Sequence, residues 1–191
     1  MSPLFSSRQR RSHLKDWIKA SGPTHAITLN PNEHDLSINV LRSRFGLFCR
    51  EVDRLKFGRK RIDNIPSDFR FQAFGLPEHL ASNAHVHIAA DLSLRWMGCR
   101  LEDTFFAKLS EKWNSLSRGR GQIHVKPIAE ATVWIDYITK EVPRADADPL
   151  RTGVDFFWSV DFHPEKMVLE SGRLNDTLDP LNPKQRLNTL R

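Results

Sequence analysis

His85-Val86-His87 is a place where spacing alone could build chemistry. In an extended strand, residues two apart point to the same face, so both imidazoles can converge on one metal ion while Val86 and Ile88 point the other way. A metal site needs a third ligand, and Glu78 stands seven residues before His85, in the loop that returns the chain to the histidine strand. A carboxylate beside two imidazoles makes a mixed nitrogen and oxygen site suited to Mn²⁺, Mg²⁺ or Zn²⁺. His79 competes with Glu78 for that place, and Gln72 stands behind both. The plain alternative is two surface histidines, because a chain with eight histidines produces such a pair by chance easily enough.

Tyr137 is the second feature. It is the only tyrosine in a chain with twelve Phe and five Trp, so aromatic bulk is supplied elsewhere and a lone phenol stands out. A half-buried helix residue whose hydroxyl finds a hydrogen bond is the competing account. Lys140 lies three residues on, the spacing that puts two side chains on one helix face, where an ammonium can sit beside the phenol or beside a phosphate that it attacks. Trp134 and Ile138 of the same helix can face a sheet.

The elements that must position these groups follow from periodicity. Thr24 to Leu29 alternates as a strand, and Asn30-Pro31-Asn32-Glu33 reads as a helix start, with Asn30 as cap and Pro31 at the first helical position. Apolar residues at helical spacing carry that helix to about Phe57, where Gly58 ends it. Phe69 to Phe74 and His85 to Leu92 read as strands joined by a loop that contains Leu76-Pro77-Glu78-His79 and Ser82-Asn83. Leu101 to Leu116 forms a second helix, Gln122 to Ile128 a strand, Ala129 to Glu141 a third helix and Val154 to Phe162 a last strand. The first six elements match the split βαβ order of ferredoxin-like folds, with helices on one face of an antiparallel sheet and the other face left available. The expected fold class is therefore α+β, with about five antiparallel strands flanked by helices. The expected domain limits are a basic arm or short surface helix over 1–20, one domain over 21–169 and a poorly ordered tail over 170–191.

With 39% hydrophobic and 27% charged residues, a chain of 191 residues can bury one core. Its net charge of +6 and pI of about 9.6 favour a polyanionic partner. Lys56, Arg59, Lys60 and Arg61 form the basic cluster most suited to a phosphate backbone, with a solvated loop as the alternative. Cys49 and Cys99 have no metal-finger or disulfide spacing, and no apolar run marks a membrane span or signal peptide, so a cytoplasmic protein is expected. No phosphate-cradling P-loop sequence occurs.

Three ordered segments together resemble a known family. A first strand ending Thr28-Leu29-Asn30, the His85-Val86-His87 strand and the Tyr137-Ile138-Thr139-Lys140 helix look like the motifs of HUH Rep endonucleases, over roughly Thr24 to Glu141. The resemblance implies a ferredoxin-like or RRM-like HUH fold. It also implies a divalent ion held by His85, His87 and an upstream acid, Tyr137 as nucleophile and Lys140 as its helper at the phosphate. The activity implied is nicking and rejoining of single-stranded DNA at an origin or origin hairpin through a 5′-phosphotyrosine, as in rolling-circle replication of a plasmid or virus, with a separate or host helicase as partner. Around Glu78 the sequence departs from the commoner arrangement, in which the acid closes a strand before a Gly-containing turn. Relaxases place their tyrosine ahead of the histidines, the reverse of the order here. Single-tyrosine transposases share the order but follow the tyrosine with a Gln that Tyr137 to Pro143 lacks. The remaining alternatives are a silent nucleic-acid binding module using Phe69 and Phe71 to stack bases, and a hydrolytic metallophosphoesterase. Asn83 or Thr28 could orient the ligands from behind.

Overall fold

The alternation that makes strands of these segments also divides the molecule into two cores, one on each face of a single sheet. The computed structural model describes residues 7–58, 62–80, 82–92, 103–142 and 156–163. Within them the elements run α1 (Ser7–Ala20), β1 (His25–Asn30), α2 (Ile38–Phe57), β2 (Ala73–Glu78), β3 (His85–Ala90), α3 (Asp103–Leu116), β4 (Gln122–Pro127), α4 (Ala131–Ile138) and β5 (Phe157–Trp158). All strand pairings are antiparallel, in the order β4-β1-β3-β2-β5, which confirms the expected α+β class and the split βαβ arrangement.

On one face lie Phe45, Phe48 and Val52 of α2 and Leu109 and Trp113 of α3, packed on Ile27 and Leu29 of β1 and Val86 and Ile88 of β3. Gly75 of β2 lets this layer close, because a Cβ there would stand 2.8 Å from the Phe45 ring and 2.9 Å from Val86. The opposite face is not left open. Leu14 and Ile18 of α1 and Ile135 and Ile138 of α4 cover Phe74, Leu76 and Ala89. Two basic residues of α1 serve this packing: Lys15 pairs with the Asp136 carboxylate, and Arg11 donates to the Asp136 carbonyl at 3.1 Å and to Thr139 Oγ1 at 3.3 Å. Trp17 adds edge contacts to Phe74 at 5.0 Å and Trp158 at 4.7 Å.

Several boundaries differ from the periodicity, each for a local reason. Helix α2 starts at Ile38 rather than after Asn30, because Asn32 and Asp35 take left-handed φ values of 51° and 56°. Asn30 is not a helix cap: its Oδ1 accepts from Asn32 N at 2.8 Å, a side-chain turn, and Ser37 caps the helix by accepting from Val40 N. Glu33 leaves the helix to pair bidentately with Arg44 at 2.8 and 3.1 Å, and that pairing holds its carboxyl below the usual carboxylate range. Strand β2 begins four residues later than expected and runs through Pro77 to Glu78, which are strand residues rather than loop. Ahead of it, Ser67–Phe69 forms a 3-10 turn, and buried Asp53 pins the next two residues by accepting from Arg70 Nε at 2.9 Å and Phe71 N at 2.7 Å. Helix α4 is short, and Lys140 and Glu141 fall in the turn after it. The Thr139 hydroxyl donates back to Ile135 O at 2.8 Å, a bond that competes with further helix. The last strand keeps only Phe157–Trp158 before a 3-10 turn over Ser159–Phe162. Leu101, Arg59 to Arg61 and the tail over 170–191 lie outside the described residues.

Ile18 is fully buried between α1 and the sheet. Ile18→Ala is expected to cost about 2–4 kcal/mol, read as a lower urea midpoint with unchanged slope. A midpoint equal to that of the unmodified chain would make α1 an appended arm rather than part of the fold.

Candidate metal centre

Strand β3 turns Val86 and Ile88 into the first core, so His85 and His87 emerge on the face shared with α1 and α4. The β2–β3 register sets Glu78 opposite His85 and Leu76 opposite His87, which brings the carboxylate to the imidazoles by cross-strand pairing. His85 Nε2 and His87 Nε2 stand 3.2 Å apart, and Glu78 Oε2 lies 3.8 Å from the first and 3.6 Å from the second. An ion with bonds of about 2.1 Å separates its ligands by about 3.0 Å in an octahedron and about 3.4 Å in a tetrahedron, so these three donors fit one ion with little adjustment. The carboxylate supports that fit. Glu78 is 1% exposed, and neither of its oxygens makes a well-formed hydrogen bond among the described residues.

The donors are also oriented from behind. His85 Nδ1 lies 2.8 Å from the Asn83 carbonyl, which can only accept, so the proton sits on Nδ1 and leaves a lone pair on Nε2. His87 Nδ1 lies 3.0 Å from Thr28 Oγ1, a hydroxyl able to serve either tautomer. Burial first, then the charges of His85, Lys140 and His79, push the His87 pKa down to about 3. Its imidazole is therefore neutral at pH 7 and available to a metal. Thr28 and Asn83 both take the supporting place the sequence offered them, Asn83 through its backbone.

Tyr137 is 45% exposed and stands at the rim, its ring 5.1 Å from His87 and stacked on Trp134 at 5.5 Å. Trp134 is itself fixed by its Nε1 donating to Ile88 O at 3.3 Å. Lys140 reaches in from the turn after α4, with Nζ 3.1 Å from Glu78 Oε2 and 3.8 Å from the centre of the Tyr137 ring. Burial works to lower the Lys140 pKa, but the ion pair with Glu78 and the contact with Tyr137 outweigh it and raise the value. The structure thus brings together five sequence-selected residues: Glu78, His85, His87, Tyr137 and Lys140.

The other candidates are placed differently. His79 has a left-handed φ of 53°, is 58% exposed and lies 3.9 Å from Glu78 Oε2, outside the group of three converging donors. Gln72 turns away to donate to Ser67 O at 3.1 Å. Lys56 lies over the Phe57 ring at 4.6 Å, and its neighbours Arg59, Lys60 and Arg61 fall outside the described residues. Phe71 is fully buried against Phe48 and cannot stack bases, although Phe69 is exposed. What sequence reasoning missed is the contribution of Arg11 and Lys15, whose signal was indistinguishable from that of a solvated basic segment.

Calorimetric titration with Mn²⁺ should show Glu78→Ala weakening affinity by at least about a hundredfold, and Thr28→Val by about tenfold through loss of ring orientation. His79→Ala should matter less than Glu78→Ala; the reverse order would give His79 the ligand role. Compared with protein-family models, curated proteins and solved structures, the chain finds no match, so the reading of this site rests on its own geometry.

Proposed function

We propose that the chain is a divalent-metal-dependent endonuclease that nicks single-stranded DNA, keeps the 5′ end on Tyr137 and can rejoin it, a replication initiator of the HUH Rep type. The observation that carries this reading is the convergence of an exposed tyrosine, a lysine and a Glu-His-His donor set on one spot.

A neutral phenol is a weak nucleophile, so the site must lower the cost of attack at the phosphate. A divalent ion on Glu78, His85 and His87, with Mn²⁺ or Mg²⁺ best suited and Zn²⁺ next, would supply polarisation of a non-bridging phosphate oxygen. Tyr137 is held at the rim by Trp134 and His87 and is 45% exposed, so a strand can reach it. Its oxygen forms the new P–O bond while the bond from phosphorus to the 3′ oxygen breaks; the phenolic proton is lost and the departing oxygen gains one. Lys140 places an ammonium beside the developing charge. The phosphotyrosine retains the ester energy, so a 3′-hydroxyl can reverse the step without ATP. Approach of a backbone is favoured by the exposed side chains of Gln122, His124 and Lys126 on β4, on the sheet face shared with Thr28.

Labelled single-stranded oligonucleotides incubated with Mn²⁺ should give a protein–DNA band that survives denaturant and boiling and carries the 5′ side of the 3′ fragment. EDTA should abolish it. Tyr137→Phe keeps the ring packing and should lower nicking about 10³-fold or more with DNA binding nearly unchanged. A covalent product that persists in Tyr137→Phe would overturn the mechanism, and products without any adduct would identify a hydrolytic phosphoesterase instead. DNA affinity should fall steeply with salt, and replacing Arg59, Lys60 and Arg61 by Ala should make the slope shallower.

A further inference from the structure

The ammonium of Lys140 stands where the charge of Glu78 needs an answer. A carboxylate this deeply buried is costly unless its charge is met. Among the described residues neither oxygen has a well-formed hydrogen bond, and the closest cation is Lys140 Nζ at 3.1 Å. A divalent ion bonded to the same Oε2 at about 2.1 Å would lie within about 5 Å of that ammonium, close enough for strong repulsion. Lys140 has somewhere else to go. Its side chain is 36% exposed, it sits in a turn beyond the end of α4, and its Nζ already lies 3.8 Å from the centre of the Tyr137 ring.

We propose that Lys140 and the divalent ion compete for Glu78, so that loading the site moves the ammonium off the carboxylate and toward Tyr137. This rests on the metal-site reading above and deepens it. In the metal-free chain Lys140 is a placeholder that pairs with Glu78 and holds it in register beneath the histidines. Entry of the ion takes over that task and leaves the ammonium to the phenol and an incoming phosphate. Side-chain rotation suffices, because the backbone of the turn is already tied through Lys140 N to Tyr137 O at 3.2 Å. One residue is thereby given effects of opposite sign: it weakens metal binding and assists the reaction.

The test compares Lys140→Met, which keeps the stem and deletes the charge, with Lys140→Arg, which keeps the charge. In calorimetry without DNA, Lys140→Met should bind Mn²⁺ at least about tenfold more tightly than the unmodified chain, and Lys140→Arg should stay close to it. Metal-free Lys140→Met should melt at a lower temperature, and Mn²⁺ should raise its melting temperature by more than it raises that of the unmodified chain. Equal or weaker Mn²⁺ affinity in Lys140→Met overturns the competition while leaving the metal site standing. Absence of Mn²⁺ binding in both proteins removes the metal site and the competition together. A readout independent of any variant is mass-mapped reductive methylation of Lys140 in the unmodified chain, which should speed up when Mn²⁺ is added; an unchanged or slower rate also overturns the proposal.

Discussion

The pairing register of β2 against β3 is the constraint on which the candidate site depends. Glu78 faces His85 and Leu76 faces His87 because the two strands pair in one register from Ala73 opposite Ala90 to Glu78 opposite His85. A slip of one residue would turn Glu78 into the layer of Phe45 and Phe48 and bring Pro77 to the histidines, since every side chain changes face at once. Gly75 makes the slip expensive. It sits where Phe45 and Val86 leave no room for a Cβ, so no other residue of the strand can take its place without clash. The chemistry of the polar face is thus fixed by packing on the apolar one.

How far the sequence displayed this arrangement depended on whether a signal was local. The histidine pair was legible because period two is a property of any strand, and the strand itself was marked by Val86 and Ile88. The strand and helix order was legible for the same reason, as were the helix ends at Gly58 and Gly119, both of which adopt positive φ. The start of β2 was not legible. Phe69 and Phe71 look like strand residues, yet a buried carboxylate 17 residues before Arg70, Asp53, holds that stretch as a turn by pairing with Arg70 and the Phe71 amide. Pro77 and Glu78 look like loop, yet β3 recruits them into its ladder. Asn30-Pro31-Asn32-Glu33 has every mark of a helix start, but the Arg44 guanidinium claims Glu33 and the left-handed Asn32 breaks the helix before it begins. In each case a tertiary contact outweighed a local preference.

The same distinction applies to charge. Arg11 and Lys15 resemble a solvated basic segment, and nothing in their neighbourhood in sequence points to Asp136 or Thr139. The sheet brings them together by seating α1 beside α4 over Phe74, Leu76 and Ala89. Positive charge that would otherwise count toward a polyanion-binding surface is in part committed to holding a helix in place.

Helix α4 has only eight residues and no side-chain hydrogen bond at its N-terminus, too short to persist by itself. Under the reading proposed, it is also the point at which a nucleic-acid strand becomes tethered to the protein. Tension on that tether would enter at Tyr137, one residue after Asp136 and two before Thr139, the residues grasped by Lys15 and Arg11. From there the force divides, part passing through Ile135 and Ile138 into the sheet and part into the fourteen residues of α1. The N-terminal helix is in this sense a splint, spreading a mechanical load that two turns of helix could not carry alone.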